Sequence, residues 1–132
     1  MLMIQIKWVF VLLMSILMVA CSQELSFQND VMPILAANCS DCHTTGGEGY
    51  NKSGFNVTNY ENLMKGTKFG PVIVPGNSAS SPLYQLISHA TDVKIQMPPH
   101  HKEALAEGRR EPLTDAQIAI IGKWIDQGAK NN

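Results

Sequence analysis

Cys39-Ser40-Asp41-Cys42-His43 constrains this chain more than any other stretch. Two thiols with two residues between them, followed at once by a histidine, have the spacing of a covalent c-type haem attachment site. The thiols add across the two haem vinyl groups, and the histidine reaches the iron from one side. A chain marked in this way folds around a flat cofactor as well as around itself. Two other uses of a Cys-x-x-Cys pair fit less well. A structural zinc site takes four ligands, usually from a second spaced pair, and His100-His101 are adjacent. A thioredoxin-like motif belongs in a βαβ context, and no strand-rich pattern surrounds this one.

Residues 1–20 read as a leader. Lys7 precedes an apolar run from Trp8 to Leu13 that continues through Met14, Ile16, Leu17, Met18 and Val19. That is the length of a signal-peptide core and short of the roughly 20 apolar residues of a membrane span. The run ends in Met18-Val19-Ala20-Cys21, which resembles the lipobox of bacterial lipoproteins, although that pattern prefers leucine at the place of Met18. The expectation is cleavage before Cys21 and lipidation of its thiol, the alternative being an uncleaved anchor helix. More than one acyl chain on Cys21 would hold the protein at a bilayer where a single chain would not. Ser22, where aspartate would signal retention at the inner membrane, resembles the outer-membrane pattern. The expected location is therefore the periplasmic side of a bacterial membrane, the outer one.

With Cys21 assigned to lipid and Cys39 and Cys42 to haem, none of the three cysteines is left for a structural disulfide. Removal of the leader leaves 112 residues with nine basic and eleven acidic side chains, a net charge of −2. That size suits one domain, and the balance gives no reason to expect nucleic acid as a partner.

Helical periodicity dominates, so the expected fold is all-α. Phe27, Val31, Ile34 and Leu35 recur at helical spacing and lead into Cys39. Either Ser26 caps this helix and Pro33 bends its interior, or the helix begins at Asp30 and Pro33 falls in its tolerant first turn. Thr58-Asn59-Tyr60-Glu61 reads as a capping box for a short helix stopping at Gly66. Ser81-Pro82 reads as an N-cap and an N1 proline. Thr114-Asp115-Ala116-Gln117 is a second capping box, with Leu113 and Ile118 as its hydrophobic staple. Ile118, Ile121, Trp124 and Ile125 follow it, and Gly128 ends the run. The glycine-rich stretches Gly46–Gly49 and Gly66–Gly76 match no phosphate-binding pattern and are expected to be loops wrapping the cofactor.

A second axial ligand has several candidates. Beyond the leader the methionines are Met32, Met64 and Met97. The first two sit on expected helices, where packing is the ordinary role of methionine. Met97 precedes Pro98-Pro99, and proline holds the residue before it in extended geometry, so a stiff strap presents the thioether. His89, His100 and His101 compete for the position, and an open iron is the remaining alternative.

The order of these elements resembles the planctomycete-type cytochrome c domain, a single-haem module of class-I type. Asp30-Val31-Met32-Pro33-Ile34-Leu35 stands before the haem motif. Val74-Pro75-Gly76-Asn77, Ser81-Pro82-Leu83-Tyr84, Met97-Pro98-Pro99, Leu113-Thr114 and Trp124–Ala129 follow in order. The resemblance implies one cytochrome c domain over residues 26–130 behind a short tether, residues 21–25. It implies a class-I-like helical fold around one haem c, with first and last helices crossing beside it and His43 and Met97 as axial ligands. The implied function is a non-enzymatic carrier of single electrons between a protein donor and a protein acceptor. An open-site haem protein with peroxidase-like or sensing chemistry, or an accessory haem subunit of a larger redox complex, are the alternatives. His43 is expected to donate its second ring proton to a backbone carbonyl near Gly70-Pro71.

Overall fold

The computed structural model describes residues 23–100, 102–106, 108 and 111–132. The leader, Cys21 and His101 lie outside the described residues. Among those described, six α-helices are present: α1 (Met32–Asn38), α2 (Glu48–Ser53), α3 (Tyr60–Lys65), α4 (Pro82–Ile87), α5 (Lys102–Ala106) and α6 (Asp115–Asp126). They contain no strand, only one isolated bridge between Thr67 and Gly70, so the chain is all-α as the periodicity predicts. None of these helices is long and apolar enough to cross a membrane.

The first helix reconciles the two starts that the sequence allows. Ser26 is the cap, its Oγ accepting from the Asn29 N–H at 3.2 Å, while its own N–H donates to Asp30 at 2.7 Å. A π-helical turn over Phe27–Val31 follows, and α1 then begins with Pro33 in its first turn. Val31 donates to the Ser26 carbonyl five residues back, at 3.3 Å. That wider turn comes immediately before Pro33, whose ring would otherwise press on the carbonyl four residues behind it.

Packing is organised by the two ends of the described chain. Phe27 and Trp124, both essentially without solvent exposure, meet with ring centroids 5.6 Å apart, and Tyr60 stands edge-on to Phe27 at 5.3 Å. Trp124 Nε1 donates to the Lys130 carbonyl at 3.0 Å, and Tyr60 Oη to that of Ala129 at 2.8 Å, so both polar handles are satisfied. Asn132 accepts from the N–H groups of Phe27 and Gln28, donors that a helix start leaves without a partner. On α6, Gly122 faces the Tyr84 ring of α4, and a Cβ there would lie 2.6 Å from a ring carbon. The Thr114 box forms as predicted, with the Gln117 N–H donating to Oγ1 at 3.3 Å and the Thr114 N–H to Gln117 Oε1 at 2.9 Å. Leu113 and Ile118 are both buried in the same core.

Three local expectations need correction. The cap of α3 is Asn59, which accepts from the Asn62 N–H at 2.8 Å, because Thr58 is engaged by Asn56 in an Asx turn. Ser81 occupies the N-cap position of α4 without capping it. Its buried Oγ donates to the Asn77 carbonyl at 2.8 Å and accepts from the Val74 N–H at 2.9 Å, closing the preceding loop. Finally, the stretch Gly46–Gly49 is not all loop, since α2 starts at Glu48 with Gly47 as its N-cap.

Candidate functional site

The motif 39–43 is a single helical turn. The His43 N–H donates to the Cys39 carbonyl at 2.9 Å, as it would in an α-helix, and Cys39 itself ends α1 by donating to the Leu35 carbonyl at 2.9 Å. Positions i, i+3 and i+4 share one face of such a turn, so both sulfurs and the imidazole face the same way. The turn is braced from behind. The Cys42 carbonyl accepts from Tyr50 of α2 and the His43 carbonyl from Val57, each at 2.9 Å. Gly47 passes so close that a Cβ on it would lie 2.5 Å from the Cys42 oxygen.

Met97 arrives from the opposite side of the sequence. Its N–H donates to the Leu86 carbonyl of α4 at 3.1 Å, and its bond to Pro98 is cis. Just before it, Gln96 is buried and donates to the carbonyls of Thr91 at 2.8 Å and His89 at 3.3 Å. The strap is thus pinned at Met97 itself and at the residue before it. A cavity of about 610 Å³ brings Cys39, Cys42, His43 and Met97 together, with Gly49 of α2 and Ala104 of α5 also in its wall. Its volume falls in the roughly 300–1,000 Å³ range of small-molecule and cofactor sites.

Those of the competing ligands that are described, His89, His100, Met32 and Met64, are placed elsewhere. His89 and His100 are not among the cavity-lining residues; their rings pack on each other with centroids 4.8 Å apart, and His100 Nδ1 donates to the Pro98 carbonyl at 2.9 Å. Met32 and Met64 are half-buried against the hydrophobic core and do not line the cavity either. Among the described residues no group of three or more His, Cys, Asp or Glu is disposed to hold a bare metal ion. The loop Gly66–Gly76, expected to wrap the cofactor, contributes nothing to the cavity wall and instead buries Val72 and Ile73 in the core.

The His43 ring departs from expectation in one respect. The Gly70 carbonyl, near which its second ring nitrogen was expected to find an acceptor, is taken by the Thr67 N–H at 2.9 Å. Nδ1 is buried and makes no hydrogen bond. Burial holds the ring below the usual histidine pKa; the Phe55 backbone opposes that shift, without reaching hydrogen-bond geometry at Nδ1. The neutral imidazole that burial favours is the form with a lone pair for a metal. Two thiols, a neutral imidazole and a thioether around one cavity are the donor set that a covalently held, six-coordinate haem requires, and the residues fit the group.

Gly49 lies in the stretch Gly46–Gly49 that was expected to wrap the cofactor, and with Glu48 it does line the cavity. Sequence reasoning missed Phe55, Gln96 and Ala104, which shape the cavity or its supports. Only Gln96, a polar residue between Ile95 and Met97, carried any local signal.

The family model described as Planctomycete cytochrome C matches residues 39–101. No curated protein and no solved structure matches the chain. The match begins at the first thiol, so the similarity of Asp30–Leu35 and of Leu113–Ala129 lies outside it. A domain of this family implies covalently bound haem c and fits an electron carrier rather than an enzyme. Residues 39–101, which hold the thiol pair, the histidine and the methionine strap, are thus similar to the planctomycete-type cytochrome c domains.

Proposed function

We propose that this protein carries single electrons between two other proteins outside the cytoplasm, on one haem c held by Cys39 and Cys42, with His43 and Met97 as the axial ligands of its iron and Cys21 as a lipid tether to the membrane. The observation that carries the reading is the convergence of Cys39, Cys42, His43 and Met97 on one cavity while His89 and His100 stay out of its wall. Haem c supplies a one-electron iron couple, and thioether ligation raises its potential relative to paired histidines. The chain's own contribution is placement. The helical turn 39–43 presents both sulfurs and the imidazole together, burial keeps His43 neutral, and the Leu86 bond and Gln96 hold Met97 in reach. Were His43 and Met97 both to hold the iron, no position on it would be left for oxygen or a substrate, which would favour electron transfer over catalysis.

The test is the visible spectrum of protein matured with a haem-attachment system, alongside Met97→Ala. The parent is expected to show a sulfur-to-iron charge-transfer band when oxidised, and the variant to lose it. A band absent from both proteins would overturn the Met97 ligation in favour of paired histidines or an open site, and fast binding of cyanide or carbon monoxide by the parent would point to the open site.

A further inference from the structure

Gly49 is the second residue of α2, and its φ is not left-handed, so the backbone there does not require glycine. The His43 ring does. A Cβ on Gly49 would stand 2.6 Å from Cε1 and 2.9 Å from each of Nδ1 and Nε2. Equal distances to the two nitrogens, with the carbon between them only slightly nearer, place that point over the face of the ring and not beyond its edge. Phe55, itself buried, meets the same ring with centroids 5.2 Å apart and planes at 67°. Nδ1 has no partner at full hydrogen-bond geometry, and the Phe55 backbone is the polar group that acts on the ring.

We infer that Gly49 and Phe55 together hold the His43 imidazole, and that their contact with the ring sets the plane it presents to a haem iron. Both are positioning residues, and the inference rests on the haem reading above. Any side chain at position 49 enters the space the ring occupies, so the ring must rotate or withdraw. Loss of the Phe55 ring frees the same motion from its other neighbour.

In an oxidised haem protein, the pattern of paramagnetically shifted haem-methyl proton resonances follows the orientation of the axial imidazole plane. We would compare the haem-loaded parent with Gly49→Ala, Phe55→Leu and, on the exposed side of the same helix, Asn51→Ala, measuring haem content and thermal midpoint beside the NMR spectrum. Gly49→Ala and Phe55→Leu are expected to retain covalent haem with redistributed methyl resonances, and Asn51→Ala to keep the parental pattern. The parental pattern in either of the first two overturns the inference, most plainly if Gly49→Ala also melts higher, since alanine is the better helix former. Should Gly49→Ala yield no folded protein, Phe55→Leu decides alone: a redistributed pattern supports the inference and an unchanged one overturns it. A parent without covalent haem overturns the haem reading itself, which is visible before any variant is compared.

Discussion

At the scale of single residues, the site is written in two short segments. Covalent attachment and iron ligation demand Cys39, Cys42 and His43 within one helical turn, so this half can be read directly from spacing. Met97 can be singled out because the two prolines directly after it stiffen the backbone. Placing His89 and His100 against each other, outside the cavity wall, leads to a direct expectation. His89→Ala and His100→Ala should leave the sulfur-to-iron band of the oxidised protein in place, whereas a band lost in either variant would assign that histidine a role in ligation. The contact of Gly49 and Phe55 with the His43 ring was not legible. Each acquires its meaning only from where the His43 ring lies, and no property of a lone glycine or phenylalanine announces that.

Among the elements, local chemistry decides the boundaries more finely than a motif does. Thr114 and Thr58 head similar sequences, yet only Thr114 caps a helix, because Asn56 captures Thr58 first. Thr114→Ala and Asn59→Ala should each lower unfolding free energy of the haem-loaded protein by about 1 kcal/mol. Thr58→Ala should cost less than Asn59→Ala in the same denaturant titration, and the reverse order would restore Thr58 as the cap. The ambiguity over Ser26 and Pro33 had a related origin. Both signals were sound, and a π turn between them let both operate. Helix α2 was hidden by composition: Gly46, Gly47 and Gly49 read as a loop, although Gly47 serves as cap and Gly49 as clearance for a ring.

For the whole molecule, the aromatic group of Phe27, Tyr60 and Trp124 joins segments almost a hundred residues apart, and Asn132 closes onto the first helix. The apolar spacing marked Phe27 and Trp124 as core but could not pair them, since pairing is a property of the folded chain. Phe27→Ala should remove about 3–5 kcal/mol of stability from the haem-loaded protein, the range for deleting a buried aromatic ring. A loss well under 1 kcal/mol would mean that this core does not carry the fold. Beyond the described residues, the proposed tether predicts that Cys21→Ser moves the protein from the membrane fraction to the soluble periplasmic fraction; a variant that stays with membranes would point to an anchor other than lipid. The most direct measurement is of covalent haem itself. The chain, matured with a haem-attachment system, would be denatured, extracted with acidified solvent and assayed for haem, next to a Cys39→Ala/Cys42→Ala variant. One haem per chain surviving extraction in the parent and none in the variant is the predicted result. A parent that retains no haem, or releases it on extraction, would contradict the reading of this protein as a c-type electron carrier.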